Sequence, residues 1–288
     1  MKVMVFGANG FLGRSVSDGL SSEHEVVRIT RNHQEEGETA DLLVLQTVKD
    51  IVAKHNPDVL INAAGVIDPK GVVANNITYT ANILEAASNL ETKPKVVIFG
   101  SASEYGVVDT LPVSEDFPLN AQSAYGHAKV EEEKTALSLA DKLGLTVIVA
   151  RIFNPIGKGM AEKFFVTHVK KQINEYEKGL RDSIEISRKD SLRDYIAVAD
   201  LVTAIGAIIA QATETNIYNI GSGVATSNGE LLQLMLKNSR IREEPAIVET
   251  LDHPEPLVAG QANITKITTE LGWQPRISID EAVKEIMA

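Results

Sequence analysis

Ser101, Tyr125 and Lys129 are the residues of this chain whose types and spacing most clearly allow chemistry. Tyr125 and Lys129 are four residues apart in a segment of helical periodicity, and residues at this spacing share one face of a helix. A free tyrosine titrates at about 10, and a neighbouring ammonium such as that of Lys129 favours its phenolate form. Ser101 follows an apolar strand-like run and can hydrogen-bond to a reacting oxygen. The three residues together predict a proton-transfer device for a carbonyl/alcohol pair.

A glycine-rich turn, Gly7–Gly13, lies near the start of the chain. It follows a short apolar run at Lys2–Phe6 and opens a segment of helical periodicity at Phe11–Leu20. A pyrophosphate can approach the backbone closely only where no Cβ intervenes, and the first N–H groups of a helix attract it. This strand–turn–helix context predicts a dinucleotide site. The residues expected to form it are Gly7, Gly10, Phe11, Leu12 and Gly13.

Arg31 stands just after the second strand-like segment, Glu25–Thr30. Proteins that prefer NAD usually place an acid here to hold the ribose hydroxyls, whereas this chain has no acid before Glu35. Arg31, with Arg28 nearby, offers the fixed charge and the fork of donors that suit a 2′-phosphate. The sequence therefore favours NADP as the cofactor, with NAD as the alternative. A solvated loop charge is the alternative interpretation of Arg31.

Strand-like and helix-like segments alternate as far as Arg151. This alternation predicts βαβ units and a parallel sheet, and hence an α/β fold with a Rossmann-type doubly wound sheet. After Arg151 the pattern is less regular, so we expect a smaller, mostly C-terminal substrate lobe. The expected division assigns residues 1–157 to the dinucleotide-binding domain, with 192–222 returning to it, and 158–191 and 223–288 to the lobe.

Composition excludes several classes of protein. The 288 residues include 28 Lys and Arg against 39 Asp and Glu, a net charge of −11 that argues against a nucleic-acid-binding protein. There is no cysteine, which excludes disulfides and thiolate sites, and the six histidines lack metal-ligand spacing, so no metal site is expected. The apolar run at the N-terminus is too short for a signal peptide or a membrane span. We therefore expect a cytoplasmic protein with no membrane partner.

The motifs of the chain resemble those of the extended short-chain dehydrogenases/reductases of the nucleotide-sugar epimerase/dehydratase group. Later segments, Phe165–Gly179 and Leu271–Pro275, are similar to those of the GDP-4-keto-6-deoxymannose reductases. The segments that carry the family resemblance are Gly7–Gly13, Asp41-Leu42, Asn62–Gly65, Gly100–Gly106, Tyr125 with Lys129, Arg151–Gly157 and Arg193–Tyr195.

The resemblance implies roles for residues around the cofactor. Asp41 would cap the adenine amino group and Leu42 would lie against the adenine ring. Ala63 and Ala64 would line the cofactor path. Lys129, besides assisting Tyr125, would hold the nicotinamide ribose, which makes both residues cofactor-binding as well as catalytic.

The resemblance also implies roles on the substrate side. Ser101 would be the catalytic serine, and Ser103 stands where dehydratases carry a glutamate, which argues against dehydration. Asn154 would contact the sugar nucleotide and Arg193 its diphosphate, a task that suits the arginine fork. The chain departs from the family at Asp252–Pro256, where many members carry an arginine that grips the diphosphate. Here His253 stands between acids, and this weakens the expectation of a sugar-nucleotide substrate.

Two further features have ordinary interpretations. Glu131, Glu132 and Glu133 are consecutive on a helix and are expected to form a solvated face, not a metal cluster. Alanines on two helices allow either a close contact between subunits of a homodimer, as the resemblance implies, or core filling. They are Ala81, Ala86, Ala87 and Ala136.

The favoured function is NADP-dependent reduction of the 4-keto group of a nucleotide-activated 6-deoxy sugar, with Tyr125 as the proton donor. The first alternative is an NAD-dependent nucleotide-sugar 4-epimerase that uses the same residues. A non-catalytic dinucleotide sensor and a reductase of a non-nucleotide carbonyl compound are further alternatives.

Overall fold

The computed structural model describes residues 1–31, 37–65, 74–108, 110–243, 245–250 and 260–288. Its strands are β1 (Lys2–Phe6), β2 (Glu25–Thr30), β3 (Glu38–Thr39), β4 (Val59–Asn62), β5 (Lys95–Ser101), β6 (Val147–Ile152), β7 (Asn154–Ile156), β8 (Ser183–Ser187), β9 (Leu192–Ala197), β10 (Asn216–Ile220), β11 (Ala225–Ser227) and β12 (Ala246–Thr250). Its α-helices are α1 (Phe11–Leu20), α2 (Leu45–His55), α3 (Ala74–Ser88), α4 (Ala124–Leu143), α5 (Phe165–Glu177), α6 (Val198–Gln211), α7 (Asn228–Lys237), α8 (Thr265–Leu271) and α9 (Ile279–Met287).

A parallel sheet forms the centre of the molecule, with the strand order β10-β6-β5-β4-β1-β2-β3. Every residue of β4 and β6 is buried, as expected for parallel strands that are covered on both faces. One apolar layer joins the sheet to α1 and α6, and the other joins it to α2, α3 and α4. The predicted doubly wound α/β fold is therefore confirmed.

Ala86 and Ala87 of α3 and Ala136 of α4 lie in the second of these layers, essentially without exposed surface. Their small side chains let α3 and α4 pack closely against each other within one chain. Of the two interpretations of the alanine spacing, core filling applies to these three positions. They give no argument for a homodimer, which stays a prediction from the family resemblance.

After Phe153 the chain contributes β10 to the main sheet and also forms two small sheets. They have the orders β11-β9-β7 and β12-β8. A separate apolar cluster binds them to α5, α7 and α9. The C-terminal segment returns to the main sheet, where the buried indole of Trp273 lies in the first apolar layer and donates a hydrogen bond to Thr203 Oγ1 at 2.8 Å. No helix in the described ranges is long and apolar enough to span a membrane.

Candidate active site

The glycine turn between β1 and α1 is packed so closely that side chains are excluded from it. Gly7 has φ +76°, and a Cβ placed on it would lie 2.7 Å from the Cα of Ala64. A Cβ on Gly13 would lie 2.1 Å from the carbonyl oxygen of Gly7. The turn, the first residues of α1 and the segment after β4 therefore form a bare backbone cradle. This cradle fits a dinucleotide, whose pyrophosphate needs such an approach to the start of a helix.

A cleft of about 240 Å³ opens beside this cradle, at the carboxyl ends of the strands. Seven of the predicted cofactor residues line it, together with Tyr79 on α3, which the sequence analysis did not identify. The residues lining the cleft are Gly7, Asn9, Gly10, Ile29, Thr30, Arg31, Ala40, Asp41, Leu42, Ala63, Ala64, Gly65 and Tyr79. Five of the predicted cofactor residues do not line it, namely Phe11, Leu12, Gly13, Tyr125 and Lys129. The Phe11 ring lies beside Gly157 and Gly159, and Leu12 packs against the first apolar layer.

Arg31 and Arg28 have different surroundings although they are three residues apart. The Nη2 atom of Arg28 lies 2.7 Å from Oδ1 of Asp18 on α1, so this guanidinium is held in an ion pair. Arg31 is exposed and lines the cleft. Glu35, the first acid after the strand, lies outside the described residues. Of the two arginines, Arg31 is the one that lines the cleft.

Ser101 ends β5 and caps a short 3-10 helix, Ala102–Glu104. Its Oγ accepts a hydrogen bond from the N–H of Ser103 at 3.2 Å, while its own N–H donates to Oε1 of Glu104 at 2.6 Å. The N-terminus of α4 packs onto this segment because residue 126 is glycine, where a Cβ would lie 2.5 Å from the Ser103 carbonyl oxygen. Gly126 therefore allows Tyr125 to approach the end of β5.

Lys129 is buried, and its ammonium is held by two acceptors. Nζ donates to the carbonyl oxygen of Phe99 and to Oε2 of Glu132, each at 2.8 Å. Burial alone would lower the pKa of Lys129, but the charges of Glu132 and Tyr125 and the hydrogen bond that Lys129 donates to Glu132 outweigh it and raise the pKa above its usual value. An ammonium has three donors, so a third remains for a hydroxyl group in the site.

The run of three glutamates on α4 is more buried than its sequence predicted. Of its three residues only Glu131 is exposed, whereas Glu132 and Glu133 are buried. Consecutive residues of a helix point about 100° apart, and α4 is packed against both the sheet and α3, so two of three neighbouring positions face inward. The expected solvated face is therefore wrong for Glu132 and Glu133.

Glu133 belongs to a second buried cluster, around Arg151 of β6. The Arg151 guanidinium donates to both carboxylate oxygens of Glu133, at 2.9 and 2.6 Å, and to the hydroxyl of Tyr105 at 2.9 Å. Glu104 lies beside it, with Oε2 at 3.6 Å from Nε of Arg151. Burial and the neighbouring charge of Glu133 raise the pKa of Glu104 well above its usual value, although Arg151 opposes them. Burial thus favours the protonated form of Glu104, which lies behind Ser101.

The two residues predicted to contact the substrate lie on neighbouring strands. Asn154 is on β7 and Arg193 on β9, and β7 and β9 pair in parallel. Nδ2 of Asn154 donates to the carbonyl oxygen of Asp194 at 2.8 Å, and Nη1 of Arg193 donates to Oγ of Ser191 at 2.6 Å. His253 and the acids around it lie outside the described residues. In the described ranges no group of His, Asp and Glu side chains could hold a metal ion.

Comparison with known proteins assigns this chain to a family. The family model of the NAD dependent epimerase/dehydratase family matches residues 3–221. The chain belongs to this family. The predicted family is thus confirmed, and with it an enzyme class of NAD(P)-dependent nucleotide-sugar oxidoreductases and epimerases.

Members of the NAD dependent epimerase/dehydratase family with different activities resemble the chain about equally. The GDP-6-deoxy-D-mannose reductase of Pseudomonas aeruginosa is 25% identical over 304 residues, which cover 100% of this chain and 96% of that protein. The UDP-glucose 4-epimerase of Bacillus subtilis is 27% identical over 324 residues, covering 98% and 94%. These identities support a nicotinamide dinucleotide as cofactor without separating reduction from epimerisation.

Solved structures of the family share the fold along the whole chain. RMD from Pseudomonas aeruginosa, complexed with NADPH, superimposes with a TM-score of 0.87 at 24% identity and covers 99% of this chain and 97% of its own. UDP-glucose 4-epimerase of Thermotoga maritima, with UDP-glucose, superimposes with a TM-score of 0.88 at 22% identity, covering 100% and 97%.

Proposed function

We propose that this protein catalyses the NADP-dependent reduction of the 4-keto group of a nucleotide-activated 6-deoxy sugar. The position of Arg31 carries the proposal. It lines the cleft where the family's NAD-dependent members would need an acid for the ribose hydroxyls, and a guanidinium suits a 2′-phosphate instead. The full-length similarity to the GDP-6-deoxy-D-mannose reductase of Pseudomonas aeruginosa supports the choice of substrate class.

The residues that would hold the cofactor are those of the cleft and the glycine turn. The N–H groups at the start of α1 would bind the pyrophosphate, and Leu42, which lines the cleft, would pack against the adenine ring. Oδ1 of Asp41 already accepts a hydrogen bond from Leu43 N at 3.0 Å, which fixes this carboxylate at the wall of the cleft, where we expect it to accept from the adenine amino group. When bound, the reduced dinucleotide supplies a hydride to the carbonyl carbon.

The protein's own part in the reaction is the transfer of one proton. The hydroxyl of Tyr125 donates it to the carbonyl oxygen as negative charge develops there, and Oγ of Ser101 donates a hydrogen bond to the same oxygen. The free donor of Lys129 holds a ribose hydroxyl or the oxygen of Tyr125. On the other side of the sugar, Arg193 and Asn154 bind the nucleoside diphosphate and the sugar.

Assays with purified protein test the proposal. We expect NADPH absorbance to fall when GDP- or dTDP-linked 4-keto-6-deoxyhexoses are added, and to fall much more slowly with NADH. Tyr125→Phe should lower turnover by about 10²- to 10⁴-fold, the usual contribution of a positioned acid. The variant should bind NADPH with unchanged affinity, because the glycine cradle is intact. Unchanged turnover in Tyr125→Phe would contradict the mechanism.

The second candidate is 4-epimerisation of a nucleotide sugar, which the similarity to the UDP-glucose 4-epimerases favours. The same Ser101, Tyr125 and Lys129 would serve it. Protein that purifies with tightly bound NAD and interconverts UDP-glucose and UDP-galactose, with no net consumption of dinucleotide, would establish this candidate in place of the reductase.

A further inference from the structure

Glu132 is a buried carboxylate that the proposed reaction does not use. It is 1% exposed, and its Oε2 accepts the hydrogen bond from Nζ of Lys129 at 2.8 Å. A buried ion pair is costly unless its remaining oxygens are also bonded. Here Oε1 accepts a hydrogen bond from Oγ1 of Thr80 on α3 at 2.7 Å. Both oxygens of Glu132 are therefore held, and the carboxylate is fixed under Lys129.

The same contacts continue to the wall of the cofactor cleft. Oγ1 of Thr80 accepts a hydrogen bond from Nδ2 of Asn62 at 2.8 Å. Oδ1 of Asn62 in turn accepts from the N–H of Ala64 at 3.1 Å, and Ala64 lines the cleft. A continuous series of hydrogen bonds thus joins the backbone that would contact the cofactor to the ammonium of Lys129.

The charge of Glu132 changes what Lys129 does to its neighbour on the helix. An uncompensated ammonium favours the phenolate form of a nearby tyrosine, whereas an ammonium paired with a carboxylate has no net charge and favours it far less. A residue that donates a proton must hold that proton at the working pH. The pair therefore suits Tyr125 to the role of acid.

Few groups act on the charge of Lys129. Burial is opposed first by Glu132, and the charges of Tyr125 and Glu104 act in the same direction as Glu132. Arg151 on β6 is paired with Glu133, and burial raises the pKa of Glu104 well above its usual value. Tyr79 precedes Thr80 on α3, and the exposed His127 precedes Lys129 by two residues on α4. Glu132 is the acid whose carboxylate accepts a hydrogen bond from Lys129, so it is the carboxylate that compensates this ammonium.

We propose that Glu132 is a positioning residue that holds the ammonium of Lys129 in a charge-compensated pair, and that this pair sets the upper pH limit of the reduction. This inference rests on the proposed reductase function. Glu132 acts through Lys129 and touches neither substrate nor cofactor.

The matched variants Glu132→Gln and Glu133→Gln test it. Each removes one buried charge from adjacent positions of α4, but only Glu132 contacts Lys129. We expect the pH above which the rate of reduction falls to move down by about one pH unit or more in Glu132→Gln. It should stay in place in Glu133→Gln, since Glu104 can ionise and pair with Arg151. An unmoved profile in Glu132→Gln, or equal movement in both variants, would overturn the proposal.

A conservative variant and a spectroscopic readout separate this role from a purely structural one. Glu132→Asp keeps the charge, so it should retain the wild-type pH profile even where kcat falls, and thermal denaturation should report the loss of stability of each variant. In protein labelled with ¹⁵N-lysine, we expect the Nζ signal that disappears in Lys129→Met to titrate above the range of the other lysines, and to titrate lower in Glu132→Gln only.

The spectroscopic readout needs no substrate. If the wild-type protein reduces no 4-keto sugar nucleotide, the proposed function is wrong, while the titration of Lys129 still decides whether Glu132 compensates it. A wild-type Lys129 signal that titrates with the exposed lysines would overturn the pairing, and this measurement needs no variant that could fail to fold beyond the one used for assignment.

Discussion

The cofactor cleft and the substrate side of the site are built by different means. Around the cleft, backbone meets backbone at Gly7 and Gly13, where a Cβ would overlap main-chain atoms. On the substrate side, buried side chains bind the backbone of other segments. Asp194 accepts hydrogen bonds from the N–H groups of Ser222, Gly223 and Ala262.

This difference decides what a sequence reveals. Close approach of two backbones requires glycine, so the cleft leaves a spaced pattern of glycines that can be recognised along the chain. A buried Asp or Gln bonded to a distant backbone leaves no pattern, because its partners are far away in the sequence. The comparison also predicts that substitutions around the cleft abolish binding of the cofactor, whereas substitutions on the substrate side lower stability and leave binding of the cofactor unchanged.

The largest effect is expected for Gly13→Ala. Its Cβ would overlap the carbonyl group of Gly7, so the turn must move, and NADPH binding should be lost while the free energy of unfolding falls by about 1–3 kcal/mol. Calorimetric titration and urea unfolding measure both. The matched control is Gly206→Ala in α6, where the nearest atom is 4.0 Å away, and alanine should stabilise the helix by about 0.5–1 kcal/mol. Normal NADPH binding by Gly13→Ala would contradict a cleft built from backbone.

On the substrate side, Asp194→Asn should lower stability without affecting the cofactor. Both oxygens of Asp194 accept hydrogen bonds, and an amide would present N–H groups to the donors on one side. We expect a loss of about 2–3 kcal/mol in the free energy of unfolding and a higher KM for the sugar nucleotide. Asp182→Asn, at an exposed position, should be neutral. Weaker binding of NADPH by Asp194→Asn would remove the distinction between the two regions.

Arg31 tests the charged side-chain contact that we assign to the 2′-phosphate. Arg31→Ala should weaken NADPH binding by about tenfold, the equivalent of a lost charge-assisted hydrogen bond, and leave NADH binding unchanged. Arg28→Ala is the control, because Arg28 is held by Asp18 and should alter neither affinity. Parallel weakening of NADH and NADPH in Arg31→Ala would refute NADP selectivity through this residue.

The smallest effect concerns Glu104, the buried acid behind Ser101. Its pKa is raised by folding, so between the ordinary value of 4.5 and the raised value the folded protein binds more protons than the unfolded chain, and stability falls as pH rises. Glu104→Gln removes this dependence, so relative to wild type its free energy of unfolding should increase with pH, by at most about 1.4 kcal/mol per pH unit. The exposed Glu131→Gln should run parallel to wild type in urea unfolding across the same range. A constant difference between Glu104→Gln and wild type would show that Glu104 is ionised in the folded state.

Much of the first half of the fold was predicted from sequence. The strand at Lys2–Phe6, the helix at Phe11–Leu20 and the strand at Glu25–Thr30 were expected with the bounds that the structure gives them. Apolar residues are frequent in all three, and glycine and serine mark the ends of the helix. Among the cleft-lining positions, Gly7 and Gly10 followed from the glycine turn and Arg31 from the end of a strand. The family resemblance implied the others that were expected, which are Asp41, Leu42, Ala63 and Ala64.

The rest depended on contacts that a linear pattern does not contain. β7, β9 and β11 are three to six residues long and were not predicted, since each is set by pairing with a distant strand. Gln172 illustrates the difficulty: its amide donates to the carbonyl oxygen of Glu185 and accepts from the N–H of the same residue, replacing a neighbouring strand. The burial of Glu132 was missed for the same reason, because helical spacing gives directions but not which direction faces the sheet.

The position of β10 limits how this enzyme could be recombined with its relatives. β10 comes from the part of the chain beyond residue 215, yet it pairs with β6, and Trp273 packs under the same sheet. In a chimera with a single junction after Gly157, β6 would come from one parent and its neighbour β10 from the other. The side chains that pack between these two strands and beneath them would then not match. An exchange of residues 158–191 and 223–260 therefore needs several junctions, so that β9, α6, β10 and the Trp273 segment remain from one parent.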